Sequence, residues 1–440
     1  MSLDSIKLTN KEKKIVRLAA LGGMLEFYDF IIYGVFSVYF AQQFFPGDNS
    51  LLAIIKSYVI FILGYIARPI GGILFSHIGD EHGRKKVLII TIVLMGISSL
   101  AIGLLPTYEQ IGIIAPLLLL LFRLIQGLAI GGELPSTYVY LSESLPNKQG
   151  TAFGLTMLGV NSGLLLGMLV NQLLTALFSP EELAAYGWRI PFIFGGMLCI
   201  ISYHIRKSLG ETSAFSKIHD KPAFPLATLV KDHLPQLMTG IAITAIMSGL
   251  VVLTIIFMPT YLNEILHINT QFIGRIMPVI MLFNVIAIYF TGKIANRVAP
   301  STILNYLLLL SAVLIPISYW LISMNTNSVL LCLGLIILGI LEGIAAMIVP
   351  LIICSLFTTS IRLTGVAFCY NIGFTLFGGI APVVVSTLIN MGYNVYMTPL
   401  IYLLTIVIIC SFGLKGLMSK RQGISSINQL NCPIKVDLQK

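Results

Sequence analysis

Charge is what this chain has least of. Asp, Glu, Lys and Arg make up 10% of its 440 residues, where a soluble domain carries about 25%. Hydrophobic residues reach 57% and mean hydropathy is +0.93. No soluble interior of this length hides so much apolar chain, so a soluble globular class is excluded. Cysteine is sparse too. Six are scattered, five of them in apolar runs (Cys199, Cys332, Cys354, Cys369, Cys410) and Cys432 in the tail. None has metal or disulfide spacing, and they read as small buried apolar residues. His77, His82, His204, His219, His233 and His267 are equally dispersed and read as loop or interfacial residues. With no nucleophile–base set in a polar loop and no metal-ligand spacing, enzyme chemistry is not expected, and neither is a cofactor. The Lys-rich start, Met1 to Lys14, has no separate cleavable apolar core, so the first apolar run is expected to be retained. The tail from Gly416 lacks a sustained heptad, and no extramembrane signalling domain is evident.

What is present is a series of apolar windows long enough to cross about 30 Å of hydrocarbon. They fall at 16–44, 51–76, 86–105, 113–141, 151–178, 188–206, 236–259, 271–293, 301–323, 329–354, 364–389 and 395–417. The expectation is an all-α integral membrane protein of about twelve transmembrane helices. The net charge of +9 does not point to nucleic acid, because the cations sit at alternate connections: Lys7 to Arg17, Arg84 to Lys86, Lys148, Arg206 to Lys231, Lys293 with Arg297, Arg362, and Lys415 onward. Lys56 and Arg189 are the exceptions. That asymmetry puts both termini in the cytoplasm of a cell inner membrane.

The longest polar interruption, 207–235, divides the chain nearly in half. It predicts an N-terminal six-helix bundle (1–206), a cytoplasmic linker (207–235), a C-terminal six-helix bundle (236–418) and a tail (419–440). A weak internal repeat agrees. Gln126-Gly127, Pro135, Leu145 and Gly150-Thr-Ala152-Phe153 keep nearly the spacing of Glu342-Gly343, Pro350, Leu356 and Gly365-Val-Ala367-Phe368. Parallel six-span repeats are the trace of the major facilitator architecture.

The few charges inside the apolar runs carry the functional reading. Glu26 and Asp29 stand mid-run, and with Tyr33 they share one helix face. Each costs roughly 2.5–3.5 kcal/mol at bilayer depth, which marks an ion or substrate pathway. Glu133 and Glu342 are the other buried acids, and Arg68, Arg123 and Arg275 the cations. Glu26, Asp29, Glu133 and Glu342 are candidate proton carriers, coupled through a cation that moves during alternating access. The plain alternative is static ion pairing between helices. Arg275 is expected to snorkel to outer headgroups. Gln126 shares a face with Glu133. Asn161 lies in a small-residue series, Gly159 to Gly167, that suits close packing but can face a cavity. Tyr370 and Asn371 offer neutral hydrogen bonds to a polar solute, and Gly378-Gly379 and Pro382 allow bending. With Tyr33, Arg123 and Gln126, these three form the candidate substrate set. The sequence Gly79-Asp80-x-x-Gly83-Arg84-Lys85 reads as a loop after the second span that gates by pairing and helix capping. Arg68, read as lying beside that loop, joins Asp80, Gly83, Arg84 and Lys85 as a gating candidate. The matching loop of the second half, Asn296-Arg297-Val-Ala299-Pro300, lacks the acid, the glycine and the second cation.

Taken together these residues resemble the metabolite:proton symporter family of the major facilitator superfamily. The matching elements are Glu26-Phe-Tyr-Asp29-Phe-x-x-Tyr33-Gly; Arg68-Pro-x-Gly-Gly72; Gly79-Asp80-x-x-Gly83-Arg84-Lys85; Arg123-x-x-Gln126-Gly127-x-x-x-Gly131-Gly132-Glu133; Gly187-Trp188-Arg189-Ile-Pro191-Phe; Glu211-Thr-x-x-Phe215; and Phe377-Gly378-Gly379-x-x-Pro382. The resemblance covers about residues 15–415. It implies a carrier with a central cavity and uptake driven by the proton gradient, with Glu26, Asp29, Arg123, Gln126 and Glu133 as cavity or coupling residues. It also implies a small-molecule partner such as proline, glycine betaine or a di- or tricarboxylate, and a monomer is expected. Two departures bear on the solute. Leu-Pro135-Ser follows Glu133, where relatives often have an aromatic and small residues. Cys354-Ser-Leu-Phe357-Thr-Thr lacks the Glu and Phe-Pro-Thr that relatives often carry. The rival reading is a proton-coupled exporter of drugs or siderophores, against which the span-five stretch Gly159 to Gly167 counts by lacking proline.

Overall fold

The computed structural model describes residues 8–47, 50–216, 225–324 and 327–419. The predicted tail, the middle of the linker and the first seven residues lie outside the described residues. Twelve long helices carry the fold: α1 (Asn10–Phe44), α2 (Ser50–His82), α3 (Arg84–Leu104), α4 (Ile114–Ser144), α5 (Gln149–Leu177), α6 (Arg189–Lys207), α7 (Leu234–Val251), α8 (Thr270–Ile294), α9 (Pro300–Ser323), α10 (Ser328–Ser355), α11 (Arg362–Gly373) and α12 (Met397–Ser419). Ten pieces of the described chain are long and apolar enough to cross a membrane, and Pro180–Gly187 with Arg189–His204, bent by 45°, makes an eleventh. α1, with 35 residues, also exceeds the bilayer's thickness.

Several helices turn an apolar stripe outward, as lipid contact requires. On α2, Ile62, Ile66, Ile70 and Ile73 are exposed at spacings of three and four; on α9 Tyr306, Leu309, Val313, Ile317 and Trp320 do the same. The opposite faces are lined by small residues. Gly64 and Gly71 of α2 meet Gly127 and Leu128 of α4 backbone to backbone; a Cβ at Gly127 would stand 1.8 Å from the Gly64 carbonyl oxygen.

The helix pairings of the first half recur in the second, six positions on. α1 packs on α5 as α7 packs on α11, α2 on α4 as α8 on α10, and α3 on α6 as α9 on α12. The two bundles meet through α2 with α11 and α5 with α8, which are equivalent pairs under the same repeat.

Two helices are interrupted. α7 gives way to a wide turn at Val252–Ile256, just before Pro259, whose missing N–H cannot complete the regular ladder. α11 passes through a similar turn at Phe374–Gly379, ahead of Pro382, and resumes at Ala381–Asn390. The expected bend at Gly378-Gly379 is therefore a wide turn. A second difference concerns Gly79 to Lys86. It is not a loop: α2 runs on through Asp80 to His82, and the only break is Gly83, with φ +109°, before α3 begins. A left-handed conformation there suits glycine alone.

Gly127→Ala should lower stability by about 1–3 kcal/mol through overpacking. Gly34→Ala, where a Cβ meets nothing within 4 Å, should be neutral or slightly stabilising. Thermal melting of the two purified variants checks this, and equal melting temperatures would refute the close-packing account of α2 and α4.

Candidate functional site

The buried charges of the first bundle are organised around α1, α3 and α4. Asp29 and Glu26 are both 2% exposed. Asp29 Oδ2 accepts from Ser99 Oγ at 2.5 Å and from Gln126 Nε2 at 3.3 Å. Gln126 Nε2 also reaches Ser99 Oγ at 3.2 Å, and its Oε1 accepts from Arg123 Nη1 at 2.5 Å. The i, i+3 spacing on α4 puts Arg123 and Gln126 on one face. Gln126 thus stands between acid and cation as a neutral relay. The Arg123 guanidinium lies 3.9 Å from the centroid of the Tyr33 ring, whose hydroxyl donates to Ser57 O at 3.1 Å.

Glu26 pairs with Arg68 at 3.7 Å. Arg68 is twelve residues before Asp80, about 18 Å along α2, so it belongs to this central site and not beside the Asp80 cluster. Its guanidinium faces Tyr65 at 4.9 Å and, from the second bundle, Phe374 at 5.7 Å and Tyr370 at 6.0 Å. Glu26 Oε2 and Arg68 Nε are buried with no hydrogen-bond partner. Both side chains line a cavity of about 20 Å³ that also touches Val251, Ile256 and Phe374 of the second bundle. That volume accommodates roughly one water. Admitting a solute therefore requires the bundles to part.

Glu133 does not pair with Arg123. Its Oε1 accepts from Arg206 Nη2 at 2.5 Å, its Oε2 accepts from Thr91 Oγ1, and Arg206 Nη1 donates to Leu88 O at 2.7 Å. Arg206 was read as one of the cations of the linker region, yet it is 1% exposed. Its sequence signal is Gly22 on α1, where a Cβ would fall 1.4 Å from Arg206 Nη2. Glu342 sits apart, in the second bundle, accepting from Asn284 Nδ2 with no described cation in ion-pair range. Asn161 donates to its own helix at Met157 O, 3.0 Å, while Gly163 packs on the α1 backbone. Asn371 crosses between bundles, donating to Gly131 O at 2.9 Å. Tyr370 packs edge-on to Tyr138 at 5.6 Å. Arg275 is exposed at the start of α8.

A second cluster closes the end of the molecule at which the linker runs. Asp80 accepts from the N–H groups of Leu363 (3.4 Å) and Thr364 (2.9 Å) and from Thr364 Oγ1 (2.7 Å). It thereby caps α11, a helix of the other bundle. Arg84 binds Asp80 at 3.3 Å, Glu143 at 3.2 Å, Thr359 O at 2.6 Å and Gly79 O at 2.8 Å. Arg362 reaches Glu143 at 3.2 Å. The motif Glu211-Thr-x-x-Phe215 supplies the remaining contacts. Glu211 accepts from Lys85 N at 3.1 Å, Thr212 donates to Glu143 at 2.7 Å, and Phe215 lies 4.6 Å under Arg84. Of Lys85 only the backbone takes part in these bonds. A Cβ on Gly83 would fall 2.3 Å from Glu211 Oε2. All the described hydrogen bonds between the bundles lie at this end or, for Asn371 with Gly131, near the middle.

Recurring helix pairings in two halves, a buried site of paired charges beside their interface and a bonded cluster across it at one end are the architecture of a membrane transporter. The chain belongs to the Major Facilitator Superfamily, whose profile its residues 19–382 match. It is 32% identical over 407 residues to a putative proline/betaine transporter of Staphylococcus haemolyticus, covering 90% of this chain and 86% of that one. Over 436 residues it is 30% identical to the glycine betaine/proline/ectoine/pipecolic acid transporter OusA of Dickeya dadantii, covering 93% and 84%. The proline/betaine transporter of Salmonella typhimurium is 30% identical over 444 residues, covering 97% and 85%. Among solved structures, the proton:xylose symporter XylE superposes with a TM-score of 0.76 at 15% identity, covering 92% of this chain and 95% of that one. FucP in its outward conformation gives a TM-score of 0.67 at 15% identity, covering 91% and 98%.

Two variants test these clusters. In Asp80→Asn the amide of Thr364 should exchange with solvent roughly ten- to a hundredfold faster, since a charge-assisted cap is worth about 1.5–3 kcal/mol; unchanged exchange would show that Asp80 does not hold α11. Arg206→Met alone should cost about 3–5 kcal/mol, and adding Glu133→Leu should recover most of it. Melting temperatures that simply add would rule out the pairing.

Proposed function

We propose that this chain imports a small zwitterionic metabolite, of the proline or glycine betaine kind, in symport with protons. The observation that carries the reading is the Glu26–Arg68 pair, set between the bundles, buried, and incompletely hydrogen-bonded. A zwitterion brings a carboxylate for Arg68 or Arg123 and a cationic nitrogen for Glu26 and the Tyr65, Tyr370 and Phe374 rings. Its relatives are named for proline and betaine transport.

Coupling follows from the pairing. While Glu26 and Asp29 have a cation or hydrogen-bond donor at hand, the ionised form is supported. When the solute's carboxylate draws the guanidinium away, the acid is left in a dry site and takes up a proton. Solute and proton then enter together, and the pairs re-form after release on the other side. Glu342, held by Asn284, is a further carrier in this scheme, and Tyr33, Gln126 and Asn371 are the neutral lining; Glu133, saturated by Arg206 and Thr91, and Asn161, bonded to its own helix, serve packing instead.

Residues 1–206 and 236–418 act as the two moving bundles, with 207–235 as the strap. In this reading the strap and both termini lie in the cytoplasm, which the cations at alternate connections support. The latch of Asp80, Gly83, Arg84 and Lys85 then keeps the cytoplasmic end shut in the state described.

Reconstituted in proteoliposomes, the wild type should accumulate radiolabelled proline or glycine betaine when an inward proton gradient is imposed. Asp29→Asn should lose concentrative uptake at least about tenfold while retaining solute exchange. Gradient-driven accumulation of 2-oxoglutarate or citrate instead would move the substrate class, and efflux against the gradient would replace import by export.

A further inference from the structure

Among the exposed cations at the linker end that neither the latch nor the central site uses, three are gathered in a single groove. Arg84, Arg206, Arg362 and Lys148 are each matched by a carboxylate. Lys13 at the start of α1, and Lys293 with Arg297 at the end of α8, are exposed and belong to none of the described ion pairs. These three line a groove of about 600 Å³ between α1, α5 and α8, and among the described residues no acid lines it. Its floor is the close contact of α5 with α8. A Cβ on Gly150 would stand 2.5 Å from Gly292 O, and Asn296 Nδ2 donates to Thr151 Oγ1 at 2.7 Å. Lys293 lies 4.3 Å over the Tyr289 ring, an aromatic placed where a membrane–water boundary belongs. Above it α8 exposes Phe283, Ile286 and Phe290.

We propose that this groove binds an anionic phospholipid, with the headgroup phosphate among Lys13, Lys293 and Arg297 and the acyl chains along the exposed face of α8. A free anion would satisfy the cations but leave the apolar wall unused, so the lipid is the better fit. Lys13 belongs to the first bundle and the other two cations to the second. A headgroup between them ties the bundles together over the seam that closes the linker end. Anionic lipid therefore stabilises the closed-linker conformation, independently of which solute is carried.

The test is thermal melting of the purified full chain in phosphatidylcholine nanodiscs with increasing phosphatidylglycerol. Wild type should show a saturable rise in melting temperature. The variant Lys13→Gln/Lys293→Gln/Arg297→Gln should melt like wild type in phosphatidylcholine alone yet need at least about tenfold more phosphatidylglycerol for half its shift. Arg297→Gln alone should fall between. A control variant, Lys207→Gln/Lys231→Gln/Lys415→Gln, removes the same charge from the same end and should respond as wild type. The proposal is overturned if the control loses the response equally, if the triple variant keeps it, or if inorganic phosphate without the lipid reproduces the shift. None of these readouts depends on transport.

Discussion

A charge taken out of water must meet its opposite or a full set of hydrogen bonds, and nearly everything distinctive in this protein follows from that constraint. The apolar runs alone would give twelve anonymous helices. What gives α1 to α4 and α6 a fixed rotation and neighbour is where Glu26, Asp29, Glu133, Arg68, Arg123 and Arg206 find partners. Asp29 draws α3 and α4 to α1 through Ser99 and Gln126. Glu133 draws α6 to α4 through Arg206, and only a glycine at position 22 leaves room for that guanidinium.

The same constraint separates the three charge clusters by what they can do. The Glu133–Arg206 pair is saturated: short bonds, buried ends, a backbone carbonyl for the spare nitrogen. It holds helices. The Glu26–Arg68 pair is longer, at 3.7 Å, and leaves polar atoms unsatisfied beside a cavity shared by both bundles. Unsatisfied buried atoms of that kind call for a partner that the pair itself does not supply. The Asp80–Arg84–Glu143–Arg362 cluster depends on the bundles touching, because about half its partners come from across the interface. Parting the bundles at this end would leave those acids and cations without them.

Much of this was legible from the chain. Membrane class and helix number follow from where charge is missing, and the burial of Glu26 and Asp29 from where it is tolerated. Asp80 was expected to pair with an arginine or cap a helix, and it does both, but the helix it caps is α11, some 280 positions on. No local pattern encodes a contact of that separation. Arg206 was misread for a related reason: in sequence it adjoins a basic linker, and only the fold shows that α6 carries it back under α4. Arg68 was placed with its neighbours in sequence when the length of α2 sets it a dozen residues inside. Asn161, by contrast, followed the ordinary behaviour of a polar residue in a packed helix and bonds its own backbone.

One consequence concerns Gly83. It is the whole connection between α2, which ends in the latch, and α3, whose Ser99 holds Asp29. A joint of a single residue has no slack to absorb a displacement, and Glu211 is packed against it. The two helices meet as the arms of one bent crank, with the Asp80–Arg84 cluster at its elbow and Ser99, which holds the Asp29 carboxylate, partway along one arm. A turn of α2 at that elbow has a single residue in which to be lost before it reaches Ser99.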